Sequence, residues 1–210
     1  MRTRWHVMPL CARKPDWSRL WNPKCSWMGG HTVERCRTAT EAVLRNVFIQ
    51  LNGQRVLLEG MILKPNMALP GLTYPPHQEV KEVDIGEQQY QVRLADRQPE
   101  EEQDVDEVAD ITVKSLWRTV PAAVPGVAFL SGGQSPELAS ARLNTMNHRF
   151  KSQLPWALAF SFARAIQQPA LEIWQGKEAN VKTAQRALLH RARCNRAARR
   201  GEYSAAMEKL

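Results

Sequence analysis

Residues 58–67 read LEGMILKPNM: an apolar run, Met61 to Leu63, that ends in Lys64 and is shut by Pro65. With the preceding residues it reads as a buried strand, RVLLEGMILKP, because strand-forming apolar residues run together and a proline stops them. A lysine at the end of such a run needs a reason. Working outward, the helical spacing of Val33, Cys36, Val43, Val47 and Leu51 predicts a helix from Thr32 to Leu51, with Asn52-Gly53 as its stop. Downstream, a helix is expected within Asp104 to Thr119, with acids in its first turn and Val105, Val108, Ile111 and Leu116 inward.

The scheme then repeats. VPGVAFLSGG is a short apolar run ending in glycines, followed by SPELASARLNTMN, which opens with a serine cap and Pro136 at the first helical position. LPWALAFSFARAI supplies another strand and turn, and NVKTAQRALLHRARCNRAARR a final long helix capped by Asn180. Strands alternating with helices imply a parallel α/β sheet, and runs without period-two alternation imply cover on both faces. An open doubly wound sheet and a closed (β/α) barrel both satisfy this pattern. Residues 72–103 turn Pro-rich, then polar, then acidic, and read as a long loop or insertion with a solvated charge run.

A net charge of +8 ordinarily points to an anionic partner. Here residues 1–30 carry six Lys or Arg against Asp16 alone, so five of those charges sit in one seventh of the chain. The Arg-rich stretch from Arg186 to Arg200 lacks the interleaved aromatics of a stacking surface, which excludes nucleic acid as the expected partner. No apolar run approaches the roughly 20 residues a membrane-spanning helix needs, so no membrane is expected. Cys11, Cys25, Cys36 and Cys194 show no C-x-x-C spacing, and the five histidines form no ligand cluster in sequence, so no metal and no other cofactor is expected. A reducing, cytoplasmic setting fits this cysteine usage. The basic start has the composition of a transit peptide but little amphipathic order.

Three strand ends carry chemistry: Lys64, the LSGG turn at Leu130 to Gly133, and Arg164. A partly desolvated lysine favours its neutral amine, which can attack a carbonyl to give a Schiff base. The amides beside Ser131 and its glycines can close on a phosphate, and Arg164 can pair with the same dianion. Taken singly each has an ordinary reading, as a snorkelling surface lysine, a plain turn and a structural ion-pair partner.

The sequence context decides. LLEGMILKPNM, VPAAVPGVAFLSGGQS, LNTMN, PWALAFSFARAIQ and ANVKTAQRALLHRA, in this order, resemble the C-terminal half of class I fructose-bisphosphate aldolase. The resemblance covers about residues 31–71 and 104–210 and implies a partial (β/α)8 TIM barrel holding roughly the last three strands and their helices. It implies a lyase that reversibly cleaves fructose 1,6-bisphosphate into dihydroxyacetone phosphate and glyceraldehyde 3-phosphate in glycolysis. By the same resemblance Lys64 is the Schiff-base lysine, Ser131, Gly132 and Arg164 bind a phosphate of the sugar substrate, no metal takes part, and the full-length relatives are homotetrameric.

The chain departs from that family in four places. Residues 1–30 have no family counterpart as written, yet the possible codons of Cys11 to Gly30, read two bases forward, permit a family-like residue at every position. Trp21 to Cys25, for example, permit E-P-E-V, so residues 2–30 read as out-of-frame translation with the true frame resuming at His31. Residues 72–103 exceed the family's connection, Phe162 and Ala163 replace Tyr and Gly, and Pro169 interrupts the helix after Arg164. These departures imply a truncated chain with weak or absent activity. The alternative is a non-catalytic aldolase remnant that binds phosphate or a protein partner.

Overall fold

The computed structural model describes residues 30–71, 80–85, 88–93 and 101–209, with 80–85, 88–93 and 101–104 described as backbone only. The readings of residues 1–29 fall outside the described residues. Helix α1 spans Val33–Gly53 and starts where Thr32 Oγ1 accepts the Arg35 amide at 3.2 Å. Its buried face is Val33, Cys36, Glu41, Leu44 and Phe48, one residue around from the expected Val43 and Val47. The helix ends at the predicted place, but Arg55 and not glycine takes the left-handed conformation after it, at φ 55°.

Strands β1 (Ile62–Leu63), β4 (Gly126–Phe129) and β5 (Ala157–Phe160) form a parallel sheet in the order β1-β4-β5. The connections carry helices α2 (Glu101–Thr119) and α3 (Pro136–Phe150), and α4 (Arg164–Trp174) and α5 (Val181–Arg200) follow β5. The fold is therefore α/β, rich in helix, with a small parallel sheet.

Two features of the first strand differ from expectation. Only Ile62 and Leu63 pair, while Leu58–Gly60 form a 3-10 turn. The sheet is also covered on one face alone among the described residues. Register places Leu63, Val127 and Leu158 abreast, and Val127, Phe129 and Leu158 are buried against the helices. The opposite face carries Ile62, Gly126 and Ala157 abreast, and Ile62 is 68% exposed. With no strand paired beyond β1 among the described residues, these apolar residues lack a neighbour, which is why an apolar run did not become a doubly covered strand.

The segment read as a loop contains an antiparallel hairpin, β2 (Val80–Ile85) with β3 (Gln88–Arg93), paired from Val80 with Arg93 to Ile85 with Gln88. Alternation of Val83 with Ile85 and of Tyr90 with Val92 is the strand signal that its polar composition hid. Three residues earlier than expected, α2 begins at Glu101, so part of the acidic run forms its first turn, where the helix dipole favours negative charge.

Around the covered face the helices pack in succession, α1 on α2, α2 on α3, and α3 and α4 on α5. Met67, Val108, Val113, Leu116, Phe129 and Leu143 form the centre of this core. Ser135 caps α3 as predicted, accepting the Leu138 amide at 3.2 Å, with Pro136 in the first turn. Asn180 stands at the start of α5, but its side chain donates instead to the Ile173 and Trp174 carbonyls at 2.9 and 3.3 Å, closing the end of α4. Pro169 lies inside α4 without ending it.

Candidate active site

Parallel pairing sets the carboxyl ends of β1, β4 and β5 side by side. The Leu130 amide donates to the Pro65 carbonyl at 3.0 Å and the Ser161 amide to the Phe129 carbonyl at 2.7 Å, so pairing continues past each strand to the residues of interest. Lys64 follows β1, Ser131 and Gly132 follow β4, and Arg164 opens α4 after β5. Neighbouring strands lie about 4.8 Å apart, so the three ends span about 10 Å. Continued register sets Lys64 abreast of Ala128 and Ala159.

Lys64 itself is exposed. The expected desolvation is absent because its side of the sheet has no opposing wall among the described residues. Arg164 is exposed as well, at the first position of α4. Ala163 before it has φ −98°, so the alanine that replaces the family's glycine carries no left-handed strain.

The Ser131–Gln134 turn is tightly built. Gly132 and Gly133 take φ 59° and 84°, a conformation that disfavours residues with a Cβ. A Cβ on Gly132 would overlap Asn66 Oδ1 and lie 3.1 Å from Asn66 Cγ, so the turn after β4 packs directly on the K-P-N turn after β1. Gln134 braces this arrangement. Its amide nitrogen and its side-chain Nε2 both donate to the Ser131 carbonyl, at 3.1 and 2.7 Å, and Nε2 lies 3.6 Å from Met67 Sδ. Buried Arg142 on α3 donates to Gln134 Oε1 at 2.7 Å, so the turn is tied to the core by a charge-assisted bond. Asn66, Gln134 and Arg142 went unassigned in the sequence. Only an arginine inside the apolar face of SPELASARLNTMN signalled that a buried partner awaited it.

Buried Thr112 of α2 accepts the Ala68 amide at 2.9 Å and fixes the segment after Asn66. One histidine that joins no ligand cluster in the sequence, His190, has potential ligand atoms near it in the fold. In space it meets Cys194 and Glu208, with ligand atoms all within 4.8 Å of one another. The i,i+4 spacing of His190 and Cys194 on α5 was the legible half of that cluster, and Glu208 arrives from a later turn.

The family model "Glycolytic: Fructose-bisphosphate aldolase class-I" matches residues 19–92 and 88–210. A cytoplasmic isozyme of fructose-bisphosphate aldolase from Cicer arietinum is 46% identical over 175 residues, covering 83% of this chain and 41% of that protein. The Dictyostelium discoideum fructose-bisphosphate aldolase is 40% identical over 182 residues, covering 87% of this chain and 43% of the relative. Among solved structures, fructose-bisphosphate aldolase from Plasmodium falciparum, in complex with TRAP and a small-molecule inhibitor, superposes with a TM-score of 0.68 at 40% identity, over 85% of this chain and 44% of that one. The chain thus spans less than half the length of the relatives it matches. With three parallel strand ends in the right order and a family match that runs over most of its length, the chain belongs to the class I fructose-bisphosphate aldolase family.

Proposed function

We propose that this chain carries the imine-forming lysine and one phosphate-binding corner of a class I aldolase site. The observation that carries this reading is the placement of Lys64, Ser131 with Gly132, and Arg164 after three adjacent parallel strands. Lys64 Nζ attacks the ketone carbon of a phosphorylated ketose, water leaves, and the protonated imine accepts the electron pair released as the neighbouring carbon–carbon bond breaks. The Ser131 and Gly132 turn and the Arg164 guanidinium hold the phosphate, so the ketone is presented to a fixed amine. Strand ends suit this task because rigid elements hold reacting atoms better than loops.

The β1-β4-β5 sheet is read as the last three strands of an eight-stranded barrel. Residues 72–103 are an insertion, a reading supported by a family match in two pieces that meet within that segment. Residues 1–30 form a separate segment with the reading frame resuming at His31, although the family match already begins at residue 19, and the nucleotide sequence upstream of His31 tests it. By the family resemblance the full-length relatives are homotetrameric, and a cytoplasmic location of this chain is supported by a relative named as a cytoplasmic isozyme. No helix among the described residues is long and apolar enough to cross a membrane.

The test is equilibrium binding of dihydroxyacetone phosphate to the wild-type chain and to R164M and S131A. Loss of one charge-assisted contact of about 1.5–3 kcal/mol predicts affinities at least about 10-fold weaker in R164M. Affinities equal in all three proteins would overturn the assignment of the phosphate corner. Phosphate-dependent binding without any imine at Lys64 would favour the non-catalytic remnant.

A further inference from the structure

A second cluster of reactive side chains lies where α5 meets the 3-10 turn Ala205–Glu208. His190 and Cys194 stand one helical turn apart on α5, and Glu208 closes on them. His190 Nε2 lies 3.6 Å from Cys194 Sγ and 3.4 Å from Glu208 Oε2. Bond lengths of about 2.3 Å to sulfur, 2.05 Å to nitrogen and 2.0–2.2 Å to oxygen at tetrahedral angles place N and S about 3.6 Å apart and N and O about 3.4 Å apart. Both observed separations match those edges of a zinc tetrahedron. The third pair, Cys194 to Glu208, is within 4.8 Å and needs to close by at most about 1.2 Å.

We propose that His190, Cys194 and Glu208 bind a borderline-soft divalent cation of the zinc class, leaving a fourth position for water. One nitrogen, one sulfur and one carboxylate oxygen are the donors such an ion takes. Glu208 already has the outer partners that orient a ligating carboxylate: Tyr203 Oη donates to Oε1 at 2.7 Å, and Arg191 pairs with Oε2. Arg191 does not depend on Glu208 alone, since its Nη2 also donates to the Pro136 carbonyl and to Ser140 Oγ, each at 2.9 Å. It can therefore stay in place when Oε2 turns to a metal. Entry is open, because His190 and Glu208 side chains are 16% and 19% exposed while Cys194 is buried beneath them. A bound ion would clasp the C-terminal turn to α5.

Cobalt(II) titration of the full chain tests this. The expected result is one cobalt per chain with a near-ultraviolet thiolate-to-metal band that zinc bleaches, lost in C194S, with cobalt affinity at least about 10-fold weaker in H190Q. The triple variant C11S/C25S/C36S keeps Cys194 as its sole thiol and keeps the band. Absence of the band in the wild-type chain, or its persistence in C194S, overturns the proposal. Should C194S fail to fold, the triple variant decides: a band retained there upholds the site, and a band lost there assigns the metal to another cysteine.

Discussion

Gly132→Ala isolates the contact between the two turns that build the candidate site. Two effects add at this position. The φ of 59° puts any Cβ in the left-handed region, at about 1–2 kcal/mol. The new methyl would also overlap Asn66 Oδ1 and crowd Asn66 Cγ and Nδ2 at 3.1 and 3.2 Å, an overpacking term of about 1–3 kcal/mol. The loss expected is thus about 2–5 kcal/mol. Gly176 supplies the control, because its φ is 72° while nothing lies within 4 Å of a Cβ there. G176A loses the backbone term alone, about 1–2 kcal/mol. Denaturant unfolding of both variants by circular dichroism reads the difference, which the packing assigns to Asn66. A G132A midpoint indistinguishable from that of G176A would refute the close approach of the two turns.

Other outcomes follow from the same contacts. Glu41 is buried, which alone would raise its carboxyl, but the Arg118 hydrogen bond and the charges of Arg118, Arg37 and Arg45 outweigh burial and hold it below the usual range. A carboxyl lowered by folding adds stability that is complete above its unfolded value and lost as pH falls through its folded value. Because the arginines are partly exposed and screened, E41Q is expected to be about 1–2 kcal/mol less stable at neutral pH, with the gap closing below about pH 4 in urea titrations. Q134A removes the side-chain brace on the Ser131 carbonyl and should weaken binding of inorganic phosphate about 10-fold, by calorimetry, for one lost hydrogen bond of about 1–1.5 kcal/mol. I62K places a charge on the open edge of β1 and should lower the light scattering of concentrated solutions, since edge lysines block strand-to-strand pairing.

Local signals carried most of the fold. Thr32, Ser135 and Pro136 mark helix starts through hydrogen bonds and backbone angles that neighbouring residues alone decide, so they were readable from the chain. Burial was not. The run MILKP has the same letters whether its strand is covered on two faces or one, and the exposure of Ile62 and Lys64 depends on which strands stand beyond β1. The hairpin at Val80–Arg93 was missed because charged and amide residues dilute its alternation, and Asn180 was misassigned because its side chain found carbonyls of the preceding helix closer than amides of its own. For the site, motif order located Lys64, Ser131 and Arg164 at strand ends, while the Gln134–Arg142 brace and the His190–Cys194–Glu208 cluster required three-dimensional proximity between distant segments.

Reductive trapping asks the central question directly. Incubated with dihydroxyacetone phosphate and borohydride, then digested and mapped by mass spectrometry, the chain is expected to carry the reduced adduct at Lys64 in preference to Lys114, Lys151, Lys177 and Lys182, with inorganic phosphate competing and K64R unlabelled. Adduct distributed evenly over these lysines, or unchanged in the presence of phosphate, would contradict the account.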